Sequence, residues 1–360
     1  MEVRFTDAFV AKARERSASM EQARTIDPLL LEYIYEHKLF KPFVPKSLGG
    51  LMLPLPEALR VFEQASWIDG SFGWLVTIGS GGGFFSATLP PEQARELFGH
   101  DKAVVAGSGY PNGIARRVDG GYIVSGRWST CSGSTFASVF TANCRIVEGE
   151  EPVTADTPYR SFAFLPDQVE IIRDWNAFGM RATDSHSIVV HEAFVPAERT
   201  FDIMSPPNFD DPIFRYPFMA FAQTSFAAVT LGVAKHYMEE AAAFAESKSA
   251  DWGQSKPERL TALRARIEKQ SAALAEASVR FYGVVDATWW PTFVQSGELN
   301  AEQEGEIARL SRQAAKVALA AAHDIFPLLG MTALMEDHPL NRTWRDLHTV
   351  TQHSVLVANS

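Results

Sequence analysis

Only two cysteines occur in the chain, Cys131 and Cys144, and neither stands in a Cys-x-x-Cys spacing. That argues against a disulfide framework or a thiolate metal site and suits a reducing compartment. No stretch reaches the roughly 18 to 20 uninterrupted apolar residues that a membrane helix needs. The opening residues, MEVRFTDAF, are mixed in charge and lack a basic segment followed by an apolar one. No secretory signal is expected, and the cytoplasm is the expected location. Lys/Arg-rich runs are missing too, and the formal net charge is −10. Nucleic acid is disfavoured as a partner, because phosphate binding needs clustered cations. Neither His-Glu-x-x-His nor Gly-x-Ser-x-Gly occurs, which disfavours zinc-dependent and serine hydrolases. His186 and His191 are five apart on an expected strand, hence on opposite faces, so no metal site is expected from them.

What remains is an ordinary globular composition, with 46% apolar and 21% charged residues. The 360 residues suffice for several packed layers. Residues 1 to about 100 read as helical. In DPLLLEYIYEHKLF, Asp27 suits a cap and Pro28 the first helical position, while Leu30, Ile34, Leu39 and Phe40 recur at helical spacing. The glycines from Gly79 to Gly83 lack the Gly-Lys-Ser/Thr ending of a phosphate loop and read as a turn. From about 102 the period changes. KAVVAGSG, GYIVSGRWS, ASVFTANCRI, RSFAFLP, VEIIRDW and HSIVVHEAFVP are short and rich in β-branched and aromatic residues, as in a small antiparallel barrel or sandwich. After about 212 long Ala-rich helical segments follow, with polar faces of Glu, Lys and Arg. The order is α+β, not alternating α/β.

Two segments hold chemistry. In Gly126-Arg127-Trp128-Ser129-Thr130-Cys131-Ser132-Gly133 a strand ends in hydroxyls beside a tryptophan. Hydroxyls and backbone N–H groups there suit a polar ring edge, and an indole suits its apolar face. Composition alone favours a strand running into a Ser/Gly turn. The second segment, Pro339 to His353, gathers two Arg, an Asp and two His. On a helix His353 would share a face with Asp346 and Arg345 and could exchange a proton near neutral pH. Spacing alone favours a solvated helix with an Arg–Asp pair. The loop Gly107 to Gly113 has the wrong spacing for a dinucleotide fingerprint and precedes a strand.

Taken in order, five segments resemble the acyl-CoA dehydrogenase superfamily over nearly the whole chain. Val44–Gly50 looks like its Pro-x-x-x-Gly-Gly loop, and Gly126–Thr130 like its Gly-Lys-Trp-Ile-Thr strand. Trp175–Ser185 looks like its Gly-Met-Arg-x-Thr-x-Ser signature, Phe194-Val195-Pro196 like the strand exit, and Trp344-Arg345-Asp346 like the C-terminal Arg-Asp. The resemblance implies an N-terminal helical domain (1–100), a central β-barrel (101–205) and a C-terminal four-helix bundle (206–360). It also implies a flavin, FAD or FMN, between barrel and bundle, and a homotetramer.

The departures point to a subclass. Most members carry a catalytic Glu nine residues after that Arg; here Ser354 stands there, and a serine cannot take an α-proton unaided. The alternative Glu position falls on Ala222 if Gly232 is the family's marker glycine. The Pro-Leu-x-Arg-x-Trp-Arg-Asp-Leu-His-x4-His pattern is instead similar to the superfamily's two-component monooxygenases, which receive reduced flavin from a separate reductase. That likeness implies catalytic roles for Ser132, hydrogen-bonded near the reactive ring nitrogen, and for His353, assisting oxygen activation or proton transfer. Trp128 is expected to flank the ring. Thr130, Gly133, Thr183, Ser185 and Arg345 are the other expected cofactor contacts, and Lys248 is a phosphate contact. The His that several such enzymes carry in the helical domain is absent between Ser80 and Phe84. A monooxygenase acting on a small organic molecule is the leading expectation. A dehydrogenase using His353 as base on an acyl thioester, and a silent flavin-binding protein, are the alternatives.

Overall fold

The computed structural model describes residues 5–149 and 152–357. The reading of the opening segment falls partly on residues 1–4, outside the described residues. Side-chain caps set the first helices. Thr6 accepts the Phe9 amide to open α1 (Asp7–Ala23), and Asp27 accepts that of Leu29 at 2.8 Å to open α2 (Pro28–Glu36). A short turn then carries Leu39 and Phe40 into the core, so the helix ends earlier than their spacing suggests. Helix α3 (Leu55–Ile68) runs to Asp69, whose carboxylate caps α4 (Gly70–Gly81) through the Phe72 amide at 3.0 Å. A 3-10 segment and α5 (Pro91–Phe98) complete this part.

The expected turn over Gly79–Gly83 is a helix instead. These glycines are there for close packing: a Cβ on Gly79 would lie 2.3 Å from Phe40, and one on Gly82 would lie 2.4 Å from Val105.

Seven strands follow: β1 (Val105–Val118), β2 (Gly121–Cys131), β3 (Val139–Val147), β4 (Tyr159–Phe164), β5 (Glu170–Ile172), β6 (His186–Pro196) and β7 (Thr200–Phe201). They form one sheet in the order β5-β6-β2-β1-β3-β4-β7. This corrects the expected antiparallel barrel in two respects. The sheet is open, with β5 and β7 at its edges, and β1 runs parallel to β3. Gly107 to Gly113 lies within β1, where the register shifts against β3.

The C-terminal part is helical: α6 (Phe218–Ser247), α7 (Ser249–Ser255), α8 (Pro257–Thr288), the single turn α9 (Val294–Ser296), α10 (Ala301–Leu329) and α11 (Pro339–Val350). Helix α6 lies at the centre and packs on α3, α8, α10 and α11. Gly232 permits the α3 contact, since a Cβ there would lie 2.2 Å from the Glu63 carbonyl oxygen. The helices share one large core cluster, and the sheet has its own around Trp128, Phe162 and Phe164. No helix among the described residues is long and apolar enough to cross a membrane.

Candidate active site

Strand β2 ends irregularly. Its pairing with β6 slips between Trp128 and Cys131, and Thr130 sits at φ 60, a conformation costly for a residue with a Cβ. The chain then turns at Gly133, φ 75. Its N–H donates to the Thr183 carbonyl at 2.9 Å, and the Ser134 hydroxyl donates to the Asp184 carbonyl at 2.8 Å. These contacts lace the end of β2 to the loop before β6. They bring three buried hydroxyls into file: Ser132 to Ser185 at 2.8 Å, and Ser185 to Thr183 at 2.7 Å.

Helix α4 supplies the next member. The Trp74 indole N–H donates to the Ser132 hydroxyl at 2.9 Å, and its ring stacks on Phe226 of α6 at 5.1 Å. His353 completes the wall, with its ring centroid 4.3 Å from Phe226 and 5.9 Å from Trp74. The end of β2 and the chain after α11 therefore meet, with Trp74 between them. Burial lowers the His353 imidazole to about 4, so it is neutral near pH 7. No charged partner opposes that shift.

Several expected roles change. His353 is not on a helix: α11 stops at Val350, and a turn directs the imidazole toward Phe226 rather than along the face of Asp346. Trp128 presents no exposed face. It is fully buried in the sheet core, its N–H donating to the Asn143 carbonyl at 3.1 Å and its ring closing on Gly113 and Gly126. Arg345 has its donors engaged inside the protein, by Asn341 at 2.6 Å, the Phe178 carbonyl at 2.9 Å, the Glu336 carbonyl and Glu21. It clamps the 177–181 segment to α11 instead of reaching a cofactor. The Lys248 ammonium lies 5.4 Å over the Phe244 ring. Ser80 turns its hydroxyl to the carbonyls of Leu39 and Val76.

Trp74 was not marked by any motif; only its aromatic character, on a helix with a capped start, distinguishes it. Asp346 proves structural as well. Its carboxylate accepts the Met180 amide at 2.6 Å and rests on Gly70. Burial, then the like charges of Asp69 and Glu21, push it up to about 7. The two cysteine thiols are buried and raised by that burial, Cys131 to about 12, so neither is a ready nucleophile.

Hydroxyls in file, an aromatic wall and an uncharged imidazole are the groups that a flat heteroaromatic ring with a polar edge requires. Residues 224–358 match the family described as acyl-CoA dehydrogenase, C-terminal domain. Over 346 residues the chain is 30% identical to an indole-3-acetate monooxygenase of Pseudomonas putida, covering 95% of this chain and 87% of that one. It is 26% identical to the oxygenase subunit HsaA, a flavin-dependent monooxygenase of Rhodococcus jostii, covering 97% and 92%. The structure of XiaF from Streptomyces sp., solved in complex with FADH2 and glycerol, superposes with a TM-score of 0.85 at 22% identity, over 97% of this chain and 89% of that one. The chain belongs to the acyl-CoA dehydrogenase superfamily, in its branch of flavin-dependent monooxygenases. It is an oxidoreductase, and its cofactor is a flavin.

Proposed function

We propose that this chain is the oxygenase component of a two-component system that hydroxylates a flat aromatic molecule of the indole type. The carrying observation is the wall of Trp74, Phe226 and His353 set against the Ser132 hydroxyl. Two aromatic faces favour a planar apolar substrate by stacking and by burial of its surface. The Pseudomonas putida relative is named for such a substrate.

The bound flavin supplies the activation of oxygen. Ser132 would hold its polar edge, with Ser185 bonded behind it, and the exposed Thr130 at the strand end would meet it from the sheet side. Gly133 and Thr183 then act by shaping the loop, since the Gly133 amide is already bonded to the Thr183 carbonyl. FAD and FMN share this ring edge, and a separate reductase is the expected source of reduced flavin. Trp74 and Phe226 exclude water from the ring side of the site, which protects a reactive centre from wasteful solvent chemistry.

His353 holds one ring proton at neutral pH; its Nδ1 accepts the Val355 amide at 3.5 Å, which leaves the Nε2–H as the donor it would offer to a ligand. An imidazole lowered to about 4 is a poor base for an α-proton, which weighs against the acyl thioester reading.

The test supplies reduced flavin, oxygen and indole or indole-3-acetate, and follows substrate by mass spectrometry with labelled oxygen. One labelled oxygen atom per product is expected, with His353→Ala lowering the rate by about 100-fold or more, as for loss of a positioned hydrogen-bond donor. Oxygen consumed without any labelled product from aromatic substrates would overturn the substrate class.

A further inference from the structure

The hydroxyl file has a direction. A serine or threonine hydroxyl has one proton to give and two lone pairs to receive with. The Thr183 hydroxyl lies 2.8 Å from the Met180 carbonyl, which only accepts, so Thr183 spends its proton there. Its 2.7 Å contact with Ser185 must then be donated by Ser185. Ser185 has no proton left for Ser132, so the 2.8 Å contact between them is donated by Ser132. Ser132 is left with lone pairs only, and one of these receives the Trp74 N–H at 2.9 Å. Every proton in the file points inward, away from the site. The other acceptor recorded for Ser185 is the Thr183 carbonyl at 3.4 Å, a longer contact than either hydroxyl partner.

Thr183 is fully buried, and Ser185 and Ser132 nearly so, so water does not readily stand in for a missing partner. The loops are also held: the Gly133 amide on the Thr183 carbonyl and the Ser134 hydroxyl on the Asp184 carbonyl fix the spacing of the file.

We propose that Thr183 and Ser185 are positioning residues that make the Ser132 hydroxyl an acceptor, so that the site selects a ring edge carrying N–H over one carrying a bare ring nitrogen. This rests on the flavin reading of the site. Reduced flavin carries an N–H at the position where oxidised flavin has an unprotonated ring nitrogen. The polarity of the file therefore favours the reduced cofactor. Trp74 supplies an N–H to the same oxygen, which shows the kind of group the oxygen takes.

The test is a pair of anaerobic titrations of the full chain, with dithionite-reduced and with oxidised FMN and FAD, read by quenching of tryptophan fluorescence. The parent chain is expected to bind the reduced form more tightly. Thr183→Val removes the end of the file. Ser185 can then donate back to Ser132, whose proton is released toward the site. The reduced-over-oxidised affinity ratio should fall by about tenfold, the scale of one mismatched hydrogen bond. Thr183→Ser should restore the ratio, which a purely structural defect at this position would not predict. Should Thr183→Val not fold, Ser185→Ala removes the same link and should lower the ratio likewise. A folded Thr183→Val or Ser185→Ala chain that keeps the parent ratio overturns the proposal, as does a parent chain that binds both forms equally. A parent chain that binds neither form overturns the flavin reading itself, and this proposal with it.

Discussion

His353 is where a single side chain decides most. Its burial against Phe226 and Trp74 disfavours the charged imidazolium, lowering its folded-state pKa from 6.5 to about 4. The unfolded chain takes up that proton first as pH falls. The neutral histidine's contribution to stability is thus fully present above about pH 6.5 and is lost between there and pH 4. Its size is on the order of 1 to 3 kcal/mol. Thermal melts of the parent chain should fall across that window, and those of His353→Phe should fall less. The imidazole proton resonances of His353 should stay unshifted between about pH 6 and 8. A resonance titrating near 6.5 would show a solvated histidine. The approach of Ser132 and His353 to one wall follows segments whose order in the sequence already suggested it. Trp74 was not legible, because its contact with Ser132 spans 58 positions and belongs to no local pattern. The burial of Trp128 was not legible, because strand alternation places it in the sheet interior, a face that a motif match does not specify.

At the level of elements, close approach between backbones is the recurring device. Gly232 of α6 meets the Glu63 carbonyl of α3, and Gly179 meets the Arg345 carbonyl of α11, with room for no Cβ at either place. Gly232→Ala should push α3 from α6 and cost about 1 to 3 kcal/mol, the scale of overpacking in a core. Denaturant unfolding would read this as a lower midpoint with an unchanged slope. Because α6 also carries Phe226, the same change should weaken flavin binding; an unchanged midpoint would mean the helices tolerate separation. The helix start at Asp27 and the short strands were readable from the cap and the change of period, whereas the cap at Asp69 was not singled out. The parallel pairing of β1 with β3 and the open edges were not readable, because neighbour choice in a sheet depends on distant segments. The glycines after Ile78 misled for a related reason: glycine marks turns locally, but here it serves contacts with Phe40 and Val105.

For the whole molecule, the question is what covers the apolar side chains that one chain leaves in water. Met331, Leu334 and Met335 follow one another between α10 and α11, at 70%, 50% and 48% exposure, and Phe178, whose ring meets Trp344 of α11, is 53% exposed. Exposed apolar side chains grouped on one short turn suit an association surface. A homotetramer, the assembly expected from the family resemblance, would bury such surface between copies. We expect sedimentation at micromolar concentration to give a species of four times the 39.8 kDa chain mass. Leu334→Glu places a charge where a neighbouring copy would exclude water, and an unpaired buried charge is costly. That variant should shift the distribution to smaller species while its circular dichroism stays that of the parent. The consequence reaches the site, because α11 leads directly into the turn that holds His353. Dissociated Leu334→Glu chains should therefore bind flavin more weakly than the parent assembly. If dissociated chains bind flavin as tightly as the parent, the site is complete within one chain and assembly serves another end.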